Sequence, residues 1–214
     1  MGKVLRYFHD SQLVNPHELT FLFKQSDMII PDQNPNGGRI LISQPSLHDR
    51  FFGRSVVMLA EHGAEGSFGF IVNKPANIKL SKVTAAFGSF DSDLYLGGPV
   101  HVDNLFYVHS KGELVKDSLK IIEGVYWGGD LEEIRKLISS GKMTEKDIRF
   151  YAGYSGWEPK QLDREMEENS WVVLDGINRY VFGARPAGLW KKIVLTLGEE
   201  YAPWINYPSD PTMN

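Results

Sequence analysis

The segment Val56-Val57-Met58-Leu59-Ala60 limits the choice of fold more than any other stretch of the chain. An apolar run without polar alternation suits a strand covered on both faces, and so a central one. It leads into His62-Gly63-Ala64-Glu65-Gly66-Ser67, where two glycines can take positive φ, and then into Phe68 to Val72. The three segments together predict a hairpin around a short loop. Counting outward from the loop pairs positions whose numbers sum to about 129. Val56 then faces Asn73, Ser55 lies near Lys74, and Glu61 and His62 gather at the loop end.

Branched and aromatic residues bounded by Gly or Pro predict further strands at Ile40–Ile42, Leu94–Leu96, Leu105–His109, Leu119–Ile122, Ile148–Tyr154, Trp171–Leu174 and Tyr180–Phe182. Asp130 followed by Glu133 is a capping box for a helix that buries Leu131, Ile134, Leu137 and Ile138 and stops before Gly141. Helices are also predicted from Pro159, with Leu162 and Met166 one turn apart, from Pro186, with Leu189, Trp190, Ile193, Val194 and Leu197 on one side, and over Ser81–Phe87. Helices are expected to cover one face of the sheet.

A chain of 214 residues, 42% hydrophobic and without an internal low-complexity linker, can build one core. Residues 1–36 read as an N-terminal extension, 37–202 as the domain and 203–214 as a proline-bearing surface tail. The absence of cysteine excludes disulfides, thiolate metal sites and a cysteine nucleophile. Charged residues interrupt the first ten positions, so no export signal is read there, and no apolar run approaches the roughly 20 residues that span a bilayer. A cytoplasmic protein is expected. The net charge of -4 gives no general attraction to phosphate backbones, and no pair of short helices resembles a DNA-recognition unit.

Several ordered segments resemble the YqgE/AlgH family: Gly38-Arg39-Ile40-Leu41-Ile42, Arg54-Ser55-Val56-Val57, Glu61-His62, Gly69 to Pro75, Leu96 to Val100, and Gly153-Tyr154-Ser155-Gly156-Trp157 with Gln161-Leu162 and Ser170-Trp171. The resemblance runs from about Gly37 to the Pro186 helix. It implies a single α+β domain whose bifurcated, mostly antiparallel sheet curls into a pseudo-barrel with helices outside. It implies no established activity. Members carry the label of transcriptional regulator by extension from one member linked to alginate control, which is a weak basis for function.

Candidate sites follow from chemistry. Ser55 and His62, seven residues apart on one straight strand, lie roughly 23 Å from each other and point to opposite faces, which argues against a nucleophile–base pair. Gly153-Tyr154-Ser155-Gly156-Trp157 approaches a nucleophile elbow but has Trp157 at the last glycine position; a small residue in a tight strand-to-helix turn explains Ser155 equally well. The histidines form no HExxH motif, and no metal or cofactor is expected. Glu61-His62 sits beside the glycine loop, where a loop-fixing hydrogen bond is the simpler reading. Arg54, Asn73 and Lys74 converge in the hairpin register and could hold an anion, or form a surface ion-pair cluster. With Ser55, Trp157 and Gln161, these are the candidate ligand-binding residues, expected to meet in a shallow cleft. The sequence thus favours a non-enzymatic binding or regulatory module acting through a protein or small-molecule ligand. The alternative is a hydrolase with a site near Glu61/His62 or Ser155.

Overall fold

The computed structural model describes residues 31, 34–47, 49–175, 178–182 and 186–208. Ten strands form one sheet: β1 Ile40–Ser43, β2 Val56–Gly63, β3 Gly66–Ile71, β4 Pro75–Lys79, β5 Asp93–Leu96, β6 Val100–His109, β7 Ser118–Ile122, β8 Val125–Gly128, β9 Ile148–Trp157 and β10 Trp171–Leu174. The main path is β10-β1-β2-β3-β9-β6-β8-β7, with β4 and β5 branching from it. All pairs are antiparallel except β5 with β9.

The sheet forks along β9. One edge of β9 pairs with β6, and the other is shared: β5 occupies Phe150 to Ala152 and β3 occupies Ser155 to Trp157. The buried run that begins β2 is central, as its lack of alternation predicts. Ile40, Ile42, Val56, Met58 and Phe70 enter one core cluster, while Leu41, Val57, Leu59 and Ile71 enter another on the opposite face. A third cluster gathers Leu80, Phe87, Leu94, Ile134 and Phe150.

Helices α1 (Leu131–Ser139), α2 (Gln161–Glu167), α3 (Asn178–Val181), α4 (Leu189–Val194) and α5 (Ala202–Asn206) are short. Asp130 caps α1 by accepting from the amides of Glu132 and Glu133. Leu162 of α2 packs into the second cluster and Leu189, Trp190, Ile193 and Val194 of α4 into the first. Helices therefore cover more than one face, contrary to the one-sided expectation, because β2 needs cover on both sides.

Other expectations are corrected. β10 and β7 end the path and do not pair, so among the described residues the sheet is open rather than closed into a pseudo-barrel. Ser81–Phe87 is not a helix: a 3-10 turn at Leu80–Lys82 gives way to turns, and the Thr84 hydroxyl accepts from the Ala86 amide, a local bond that competes with helix formation. Tyr180, read as strand, lies in α3. Most of the N-terminal extension lies outside the described residues. In the stretch read as tail, α5 forms and stacks Trp204 on Trp190 at 6.4 Å between ring centroids.

Candidate functional site

The fork is where the motif residues meet. A Cβ on Gly97 would lie 2.1 Å from the Gly153 carbonyl oxygen, and one on Gly98 2.4 Å from the Ser155 nitrogen, so only glycine lets these backbones approach. Gly97 donates to the Ala152 carbonyl and accepts from the Ile71 amide, which ties β3 to both sides of the junction. The fully buried Ser155 hydroxyl donates to that same Gly97 carbonyl at 2.9 Å. Gly153-Tyr154-Ser155-Gly156-Trp157 is thus strand, with Gly153 at φ 68, and not the strand-to-helix turn expected from its pattern. Beside it, the buried guanidinium of Arg149 donates to the Val72 carbonyl and lies 4.7 Å from the Tyr95 ring centroid. Burial pushes the neighbouring Tyr151 hydroxyl up to about 12.

At the start of β2, the Asn73 side chain accepts from the Val56 amide at 2.8 Å and donates to the Arg54 carbonyl at 3.0 Å, extending the hairpin where backbone pairing ends. The Arg54 guanidinium turns to the Tyr207 carbonyl and the Trp190 ring. Lys74 donates to the Arg50 carbonyl; burial lowers its pKa, and the charge of Asp49 opposes that shift. Ser55 is fully buried and its amide donates to the Ser43 hydroxyl. These four residues share a corner, but the two cations do not converge on one point.

Trp157 and Gln161 lie elsewhere. Trp157 is 5% exposed and packs in the second cluster against Phe52 and Trp171, while Arg54 contacts Trp190 of the first. The expected wall of Trp157 and Gln161 beside Arg54 does not form. Instead, both converge on Glu165, a residue the sequence reading did not single out. One Glu165 oxygen accepts from the indoles of Trp157 at 2.8 Å and Trp171 at 2.7 Å, and the other accepts from Gln161 at 2.9 Å. The spacing of Gln161 and Glu165, one helical turn, was the available signal.

The Glu61 side chain is exposed at the hairpin end. His62 Nδ1 lies 2.8 Å from the Ser67 hydroxyl and its Nε2 3.7 Å from Asp163. This bond spans the loop, as the simpler reading of Glu61-His62 expected. The register puts His62 opposite Ser67 with a number sum of 129, whereas a bulge between Leu59 and Glu61 shifts the rest of the hairpin by one. Ser67 therefore stands beside His62, and Ser118 lies 3.3 Å from Nε2 of His109, whereas the Ser155 hydroxyl bonds the Gly97 carbonyl. Among the described residues, no group of three or more His, Asp or Glu is placed to hold a metal ion.

A cleft of about 480 Å³ opens beside β10, walled by α2, by the segment carrying Tyr201 and Trp204, and by Pro31, Asn34 and Pro35 of the chain's own N-terminal stretch. None of the candidate residues named from sequence lines it.

The described residues form a single α+β domain whose forked, mostly antiparallel sheet carries glycine, serine and asparagine motifs at its junctions. The chain belongs to the AlgH-like family, which matches residues 40–202. It is 41% identical over 197 residues to the UPF0301 protein BF2109 of Bacteroides fragilis, covering 91% of this chain and 98% of that one. A UPF0301 protein of Cytophaga hutchinsonii is 40% identical over 178 residues, 83% of this chain and 98% of the relative. The solution structure of the AlgH protein from Pseudomonas aeruginosa is similar with a TM-score of 0.63 and 26% identity, over 76% of this chain and 88% of that one. Protein DIP2367 from Corynebacterium diphtheriae, at 22% identity and a TM-score of 0.65 over 80% and 92% of the two chains, shares the fold. No activity is established for the family. No described helix is long and apolar enough to cross a membrane.

Proposed function

We propose that this chain is a non-enzymatic binding or regulatory module acting through protein or small-ligand contacts. The observation that supports this reading is the engagement of the motif side chains with the backbone. Ser155 bonds Gly97, Asn73 bonds Val56 and Arg54, and Arg149 bonds Val72. A catalytic group must keep its reactive atom available to a substrate, whereas these groups hold strand ends in place and leave loops and edges as the presenting surface. The same reading covers the regulator label of the family, with control exerted through a partner and not through DNA. A thermal-shift screen of the purified protein against metabolites, nucleotides and short peptides tests it. A ligand at 100 times its dissociation constant adds about 2.7 kcal/mol of stability. A uniformly flat screen contradicts the reading.

One geometry favours the hydrolase alternative. Ser67, His62 and Asp163 place a hydroxyl and a carboxylate on the two nitrogens of one imidazole, the order of a nucleophile, base and orienting acid. The 3.7 Å contact to a half-exposed Asp163 is loose for that role. Turnover of a generic ester that disappears in both Ser67→Ala and His62→Ala, with unchanged melting temperature, would establish it; turnover that survives either change removes it.

A further inference from the structure

The outer edge of β10 carries unpaired backbone groups in a defined order. In β1, Ser43 donates to Ser55 and the Arg39 carbonyl accepts from Leu59, so the odd-numbered residues face β2. The even-numbered ones face β10: Gln44 donates to Ser170, and the register pairs Ile42 with Val172 and Ile40 with Leu174. Backbone groups of Val172 and Leu174 are therefore bonded to β1. Those of Trp171 and Val173 point outward, two residues and about 7 Å apart, and pair with no described strand.

This edge does not face open solvent as β7 does, where Leu119 and Lys120 stand exposed and a lysine discourages pairing. It faces the cleft. Tyr201 and Trp204 supply aromatic surface there, Pro31, Asn34 and Pro35 form a further part of the wall, and Asp163, which also meets His62, and Glu167 of α2 place two exposed carboxylates at its rim. Outward N–H and C=O groups select an extended backbone; carboxylates beside aromatic rings select cationic side chains with apolar stems. A free polyamine would meet the charge but leave the backbone groups unused.

The geometry points to strand addition: the β10 cleft takes an extended, basic peptide segment, bonded to Trp171 and Val173 and held by lysine or arginine at Asp163 and Glu167. This rests on the binding-module reading and gives it a site and a partner chemistry. Of the sequence motifs, Ser170-Trp171 reaches the site, but with a buried side chain; an edge strand recognises backbone and needs no special residue to do so.

The test is a titration of the full chain, isotopically labelled, with the peptide acetyl-Lys-Val-Lys-Val-Lys-amide, followed by amide shifts and exchange. The expected result is slowing of Trp171 and Val173 amide exchange by more than about tenfold, with Val172 little changed because its amide already bonds β1. The glutamate counterpart of the peptide, and the Asp163→Asn/Glu167→Gln double variant, should each weaken binding by about fivefold or more, and raised salt should narrow that gap. A peptide N-methylated at alternate residues tests the backbone bonds without altering the protein, and should bind far less tightly. Equal binding of the glutamate or N-methylated peptide overturns the proposal, as do shifts confined to other residues or Trp171 and Val173 amides already protected in the free protein. A peptide that fails to bind overturns this site alone, since the wider binding reading is decided by the ligand screen.

Discussion

The fork at β9 and the edge at β10 belong to one sheet, yet they use the chain in opposite ways. At the fork, Gly97, Gly98 and Gly153 let backbones meet at distances that leave no room for a Cβ, and the Ser155 hydroxyl bonds across the junction. At the edge, Trp171 and Val173 pair with no described strand and lie beside a cleft. The difference teaches that a dense sequence motif in this chain marks where the main chain is crowded. A surface that recognises backbone needs no such signature.

The comparison can be broken at the fork first. Gly97→Ala pushes a methyl against the Gly153 carbonyl, a backbone atom that cannot swing aside, and should cost more than about 3 kcal/mol or abolish folding. Chemical denaturation measures it; a loss below about 1 kcal/mol would mean the junction is looser than described. Glu165→Ala ranks next. It leaves the indole N–H groups of two buried tryptophans without their acceptor, for a loss of about 2–4 kcal/mol. An unchanged denaturation midpoint would contradict the role assigned to Glu165. Ser155→Ala should cost only about 1 kcal/mol, because the Gly97 carbonyl keeps its bond from Ile71.

The smallest effect is on pH dependence. His109 is fully buried; burial lowers its pKa, and the bond from Nε2–H to the Gly128 carbonyl opposes that shift only in part. Its Nδ1 accepts from the Lys111 amide, so protonation there would break a bond. Between the lowered folded value and the ordinary 6.5, the unfolded chain binds more protons than the folded one. Stability should therefore decline as pH falls below about 6.5, and His109→Gln should flatten that part of the profile. Asp147 behaves differently. Burial would raise it, but hydrogen bonds from Lys111 and Thr144 outweigh burial and hold it at about 2. Its contribution, at most about 1 kcal/mol after solvent screening, is full above about 4 and lost as pH falls toward 2.

Much of the sheet was legible because burial leaves a pattern. The run in β2, the glycine loop and the Asp130 cap each encode local geometry, and the register sum of 129 holds at His62 and Ser67. The bulge that moves Val57 opposite Ile71 left no comparable trace. β4 is mostly exposed and begins at Pro75, so no alternation announces it. β8 follows β7 across Gly124, at φ 74, in a hairpin too short for its period to stand out. Tyr180 looked like strand from composition alone, and tertiary packing of Val181 against the α4 cluster decided for helix. The hairpin register placed Asn73 near Val56, whose amide it accepts from, but the acceptors for Arg54, Ser155 and Trp157 lie outside that register: Tyr207, Gly97 and Glu165. Spacing in one chain does not reveal such distant acceptors.

The central claim is that the fork is closed and that the outer edge of β10, which pairs with no described strand, is open to a partner. Native-state hydrogen exchange of the free protein tests it directly, residue by residue. The amides of Ile71 and Gly97, bonded across the junction, should exchange only with global unfolding, while those of Trp171 and Val173 exchange orders of magnitude faster. Fast exchange at Ile71 and Gly97, or protection at Trp171 and Val173 equal to theirs, would contradict the account.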